Sequence, residues 1–159
     1  MKLYMKQKVF SWGDKFTIKD EDGNDCYYVE GEFLTIGKKL HIYDAAHNEV
    51  AFIRQKVLSF MPRYFIEING QSIEIVKEMT ILTPNLLIKN LSWKVNGDFF
   101  AHEYTLSDGN CDIMRLSKKW LKWGDTYEMD IFGQADEVLC LCITLAVDCV
   151  LEETRDILG

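Results

Sequence analysis

Proline is nearly absent from this chain, with only Pro62 and Pro84 among 159 residues. No Gly/Ser/Pro-rich stretch interrupts the sequence, so the reading is one domain over residues 1–159, with 48% apolar content to supply its core. Basic residues all but vanish from the C-terminal segment. Residues 123–159 carry one arginine against nine acids, whereas residues 1–122 carry 17 basic and 16 acidic side chains, so the net charge of −7 belongs to the end of the chain. That balance makes nucleic acid an unexpected partner and anionic membrane a poor default one, unless a local basic patch forms.

Catalytic motifs are missing as well. His41, His47 and His102 are the only histidines, and no nucleophile elbow, Walker loop, GxGxxG fingerprint or zinc spacing accompanies them. His41 and His102 fall inside alternating segments, where packing or exposure is the ordinary role. The five cysteines are odd in number and form no CxxC pair, which argues against a disulfide framework or a zinc centre. Asp20, Asp22, Asn24 and Asp25 resemble a calcium loop only in composition. Gly23 stands at position 4 rather than 6 and Glu32 at 13 rather than 12, so a hairpin turn is the better reading. Met1 to Phe10 lacks the apolar region of a secretory signal, which predicts a cytosolic chain. Neither a catalytic residue nor a cofactor or metal is expected.

What the chain does have is an apolar run near its end. Val138 to Leu151 is broken only by Thr144 and Asp148, and it is short of the roughly 20 residues needed to cross a bilayer. Asp136 and Glu137 at its start and Arg155 near its end suit a helix dipole, which predicts a helix over about 136–155. Glu152 and Glu153 oppose that dipole and weaken the C-terminal end. Val138, Leu139, Leu141, Ile143, Leu145, Val147 and Val150 point in nearly all directions, so the helix has no polar face and must be surrounded. Cys140, Cys142 and Cys149 lie on it as small apolar groups.

Strands are available to surround it. Ile66 to Ile68 and Ile73 to Ile75 flank Asn69-Gly70, a pair that tolerates the positive φ of a tight hairpin turn. Asn96-Gly97 is predicted to separate Trp93–Val95 from Phe99–Ala101. Asp108-Gly109-Asn110 divides His102–Leu106 from Cys111–Leu116, and Asp22-Gly23-Asn24 divides Phe16–Ile18 from Cys26–Val29. About a dozen strands result. Ser11-Trp12-Gly13-Asp14-Lys15-Phe16 is echoed by Lys122-Trp123-Gly124-Asp125-Thr126-Tyr127, a repeated turn that leads into a strand each time.

The string Asp14 to Gly23, then Tyr28-Val29-Glu30-Gly31 and Lys39-Leu40-His41-Ile42-Tyr43-Asp44, resembles the opening of the LURP-one-related (YxjI-like) family. Trp123 to Ile131, followed by an apolar helix containing Val147-Asp148, is similar to its C-terminal half. The resemblance implies a tubby C-terminal-like fold: a closed antiparallel barrel of about twelve strands around a buried hydrophobic C-terminal helix. The wider superfamily includes phosphoinositide-binding tubby domains and phospholipid scramblases. It therefore implies membrane lipid as a candidate ligand without naming a binding residue.

Two constellations stand out as candidate sites. Arg115, Lys118, Lys119 and Lys122 cluster in sequence with Trp120 and Trp123, a mixture suited to lipid or anion contact at an interface. Lys6, Lys8, Arg54, Lys56 and Arg63 join such a site only if folding unites them. Asp148 is a carboxylate inside an apolar helix, so it calls for a basic or hydrogen-bonding partner. The functional expectation is a non-enzymatic cytosolic binding module, peripheral to membrane, for phospholipid headgroups or a protein partner. The alternative is a scramblase-like lipid-handling activity, which requires the helix or another apolar face to meet the bilayer. A lipocalin-like carrier would require an empty barrel.

Overall fold

The computed structural model describes residues 1–6, 15–32, 34–78, 85–122 and 124–159. Period-two alternation becomes the strands β1 (Lys2–Lys6), β2 (Lys15–Lys19), β3 (Asp25–Gly31), β4 (Lys39–Asp44), β5 (Glu49–Gln55) and β6 (Arg63–Ile68). The strands β7 (Gln71–Glu78), β8 (Asn85–Lys89), β9 (Lys94–Asp98), β10 (Glu103–Ser107), β11 (Asp112–Leu121) and β12 (Gly124–Ile131) follow, and the helix α1 (Glu137–Leu158) ends the chain. Each strand pairs antiparallel with its sequence neighbours, and β1 closes the ring between β12 and β2. The result is the expected closed twelve-stranded barrel.

One face of every strand looks inward, as the pleat requires. Leu3, Met5, Ile18, Val29, Ile42, Ile53, Ile66, Ile75, Leu106, Leu116 and Met129 are all buried in this way. The wall is uneven: among the described residues, β1 meets β2 only at Tyr4↔Lys19 and β8 meets β9 only at Leu87↔Lys94. These thin seams split it into two well-paired arcs. In a meander the connections alternate between ends. The β2–β3, β4–β5, β6–β7 and β10–β11 turns share one end with the start of α1, and the β3–β4, β5–β6, β9–β10 and β11–β12 connections share the other.

The helix enters at the first of these ends. Asp136 caps it, accepting the Leu139 N–H at 3.0 Å, and the Tyr27 hydroxyl donates to Glu137 in the first turn. Its 22 residues span about 33 Å at 1.5 Å per residue, long enough to run through the barrel and emerge. Cys140 to Leu151 is buried without a break on any face. The helix continues three residues past the predicted end. Lys38 pairs with Glu152 and offsets the unfavourable charge there, while the Gly159 N–H closes on the Arg155 carbonyl at 2.8 Å.

The turns follow their chemistry. Asn69 and Gly70 have φ of 50° and 72°, the left-handed pair of a tight hairpin. Asp20 accepts the Asp22 and Asn24 N–H groups at 2.9 and 2.8 Å, so it closes a turn, as read from the failed calcium spacing. Asp44 and Asp108 close their turns in the same way. The prediction at Asn96-Gly97 is corrected. Gly97 lies inside β9, and the turn falls at Phe99–His102, where the sequence suggested a strand. Gly97 adopts φ +117°, and an added Cβ would lie 2.7 Å from the Glu103 carbonyl oxygen, so glycine here serves close strand approach rather than a turn. His102 is also displaced from its expected strand position, to φ +58° in that turn. Ser11 to Asp14 and Trp123, which carry the repeated turn, lie outside the described residues.

Gly97→Ala is therefore expected to destabilise the fold by about 2 kcal/mol or more in urea unfolding, since steric conflict adds to the unfavourable φ. Gly70→Ala meets open space and should lose about 1 kcal/mol. Equal losses would contradict the close-approach account.

Candidate functional site

Two loops at the end where the helix emerges hold apolar side chains in water. Leu34 and Ile36 lie between β3 and β4, and Leu58 and Phe60 lie between β5 and β6, with exposures of 104%, 83%, 103% and 87%. The loops touch. The Gln55 N–H donates to the Lys38 carbonyl at 2.8 Å, the Lys38 N–H donates to Gln55 Oε1 at 2.8 Å, and Gly37 packs near Val57 Cγ2. Leu34 and Leu58 also hold left-handed backbone, at φ 57° and 58°, a conformation that bulky residues rarely adopt. Full exposure and backbone strain thus coincide at both tips.

The surroundings are cationic. Lys56 is exposed with no carboxylate at ion-pair distance among the described residues. Below Phe60, an open groove of about 570 Å³ runs over the outer face of β6–β8, its charged lining made of Arg63, Lys77 and Lys89 with Glu78 among them. Glu74 tempers its charge, with Oε1 lying 2.9 Å from Arg63 Nε and 3.5 Å from Lys89 Nζ. Arg54 is turned elsewhere, stacked 4.4 Å over the Phe65 ring and paired with Glu67.

The five residues nominated on β11 and its turn are not gathered on one surface. Strand alternation places Arg115 and Lys119 on the outer side and Lys118 and Trp120 on the other, beyond the packed core. Arg115 lies 3.8 Å from Asp112, and Lys118 lies 3.4 Å from Asp125. Trp120 is 80% exposed. Together with Lys122, it lies at the same barrel end as the Leu34 and Leu58 tips, on another arc of the rim. Lys6 ends β1 at that end too, while Lys8 falls outside the described residues. Sequence reasoning missed Leu34, Ile36, Leu58 and Phe60. The available signal was apolar residues beside Gly37 and Pro62, where a turn rather than a core strand belongs.

Asp148 finds its basic partner across the barrel. His102 Nδ1 lies 3.1 Å from Asp148 Oδ1, off the line of an ideal hydrogen bond, and the His102 ring stacks on Tyr127 at 4.6 Å. Burial raises the Asp148 carboxyl pKa above its ordinary range, against the pull of His102 and Arg155. The Tyr104 hydroxyl, also buried, is pushed up by burial and by the Asp148 charge. The Thr144 hydroxyl turns back to the Cys140 carbonyl at 3.0 Å. A turn, two strands and the helix thus meet at one enclosed polar cluster. Burial likewise raises the Cys140 and Cys149 thiols to about 12, leaving them neutral and unreactive.

A barrel whose interior is occupied by its own helix offers its exposed chemistry on the outside, and this defines the protein as a helix-filled β-barrel. A family model described as LURP-one-related matches residues 1–148, and the chain belongs to that family. It is 38% identical over 157 residues to the uncharacterized protein YxjI of Bacillus subtilis (strain 168), with 98% of this chain and 97% of that protein covered. No solved structure gives a significant match.

Removing the imidazole that faces Asp148 leaves a buried carboxyl without its partner. His102→Ala is expected to cost about 3 kcal/mol in chemical unfolding at pH 7, and much less in an Asp148→Asn background. An acid whose folded pKa is raised favours the fold at low pH and loses that contribution as pH rises from its unfolded to its folded value. The His102→Ala penalty should therefore shrink on acidification. A penalty unchanged by Asp148→Asn would show that the two residues are not coupled.

Proposed function

We propose that the protein is a peripheral binding module that docks the helix-exit end of its barrel on an anionic phospholipid surface. The observation that carries this reading is the pair of strained, fully exposed leucines, Leu34 and Leu58, on adjoining loops. In water these side chains gain nothing from projecting. In the interfacial layer of a bilayer, each leucine gains about 1.5–3 kcal/mol by leaving water. Lys56, Arg63 and Lys89 lie where phosphate oxygens of the headgroups would meet them, and Lys122 with Trp120 extends the contact along the rim.

Enclosure of Cys140 to Leu151 favours surface docking over scramblase-like transfer, because that stretch has no face left for lipid. Among the described residues, no helix is long and apolar enough to cross a membrane. The five cysteines are unbridged, which suits a reducing compartment and therefore the cytoplasmic leaflet. No catalytic step is part of this reading.

Sedimentation with phosphatidylserine vesicles tests it. The unaltered protein should pellet with the vesicles and release as salt rises. The Leu34→Ser/Leu58→Ser/Phe60→Ser variant should lose about a thousandfold or more in partitioning while keeping its unfolding midpoint, since the changed side chains touch water rather than core. Absence of binding to every anionic composition, or equal binding by the variant, would overturn the proposal, and capture of a protein by the same rim would favour the partner reading instead.

A further inference from the structure

His41, on the outer face of β4, is held from both sides by carboxylates. Its Nε2 lies 2.7 Å from Glu32 Oε1 and its Nδ1 lies 3.1 Å from Glu49 Oε1. The ring rests against Phe52 of β5, with centroids 4.7 Å apart, which restricts its rotation. A neutral imidazole has one N–H, yet two carboxylate oxygens face its two nitrogens, so both contacts are satisfied only when the ring carries both protons. Loss of one proton places a ring lone pair against a carboxylate and breaks one of the two bonds.

Glu32 sits at the stem of the loop that bears Leu34 and Ile36. Its N–H donates to the Lys39 carbonyl at 3.1 Å, and its carboxylate also takes the Lys39 ammonium at 3.2 Å. Glu49 begins β5, next to the β4–β5 turn at the opposite end of the barrel. His41 thus ties the stem of an exposed tip to a fixed strand. We propose that His41 is a proton-operated clamp on Glu32, at the stem of the loop that bears Leu34: protonated, it bridges Glu32 to Glu49 and restrains the stem, and deprotonated, it leaves Glu32 to its Lys39 contacts alone and loosens the tip.

The charged neighbours support that direction. Glu30 lies opposite His41 on β3 and is paired with Lys15 at 3.0 Å, Glu67 on β6 lies beyond Phe52 and is paired with Arg54, and Tyr43 shares the β4 outer face. Partial burial of His41 favours the neutral ring, but Glu32 and Glu49 outweigh it and hold the imidazole pKa above its ordinary 6.5. His41 and Lys39 in turn hold the Glu32 carboxyl below its usual range. A histidine raised in this way contributes fully below pH 6.5, and the contribution is lost as pH rises through the folded value. The clamp itself needs no lipid, but its role in docking rests on the membrane reading above.

Amide hydrogen exchange of residues 34–38, corrected for intrinsic rates, tests the clamp without vesicles. Protection should fall severalfold as pH rises through the His41 titration, and His41→Gln should abolish that step. Partitioning onto phosphatidylserine vesicles should weaken over the same interval in the unaltered protein only. An exchange step that persists in His41→Gln, or an imidazole titrating at or below pH 6.5 by NMR in the unaltered protein, would overturn the clamp. An intact exchange step without vesicle binding at any pH would instead overturn the membrane reading and leave the clamp standing.

Discussion

The constraint on which the structure rests is that α1 is apolar around its whole circumference. From Cys140 to Leu151 every side chain is buried, including Thr144 and Asp148, so water must be excluded on all sides at once. A single sheet covers one side of a helix, and only a closed wall covers all of it. The wall depends on the helix in return, since the inward rows from Leu3 to Met129 have little else to pack against. Closure joins the first strand to the last, with Lys2 opposite Asp130 and the Met1 ammonium on the Ile131 carbonyl at 3.0 Å. Such non-local pairing predicts slow, cooperative folding.

A filled interior leaves only the outer surface for contact with other molecules, and the direction of the helix makes the two ends of the barrel differ. Its N-terminal end sits among Asp136, Glu137 and the turn carboxylates Asp20, Asp44 and Asp108, which are occupied with backbone N–H groups. Its C-terminal end emerges beside Lys38 and beneath the loops bearing Leu34, Leu58 and Lys56. The helix dipole favours the carboxylates at its start and Lys38 and Arg155 at its close, while Glu152, Glu153 and Asp156 there oppose it. The barrel therefore has unlike ends, and the apolar tips project from the one that holds Lys56, which has no carboxylate at ion-pair distance among the described residues.

Much of the fold was legible because period and turn chemistry are local properties. The all-round apolar helix, the Asn69-Gly70 hairpin and the Asp22–Asn24 turn could each be read from a few residues. Asn96-Gly97 has the same local signature, but Gly97 is there because Glu103 passes too close for a Cβ, a fact about another strand. The candidate site was less legible for a related reason. Asp148 advertised a need for a partner, but that the partner is His102, in a turn 46 residues earlier, depends on the register of β9 and β10. The segment from Val57 to Met61 is apolar, and its place beside Pro62 hints at a turn, but that Leu58 and Phe60 end in water depends on where the barrel wall stops. The β11 lysines were visible in sequence, yet alternation sends them to opposite sides.

If the helix stays inside the barrel whether or not the rim is docked, the chain's own thiols will report it. Cys111 is exposed and Cys26 half-buried, whereas Cys140, Cys142 and Cys149 are buried on α1. Labelling with a charged maleimide, mapped by peptide mass and repeated with phosphatidylserine vesicles, should modify Cys111 quickly and Cys26 slowly. The three helix thiols should react only after denaturation, with or without lipid. Modification of Cys140, Cys142 or Cys149 in the native protein, or on addition of vesicles, would contradict the account.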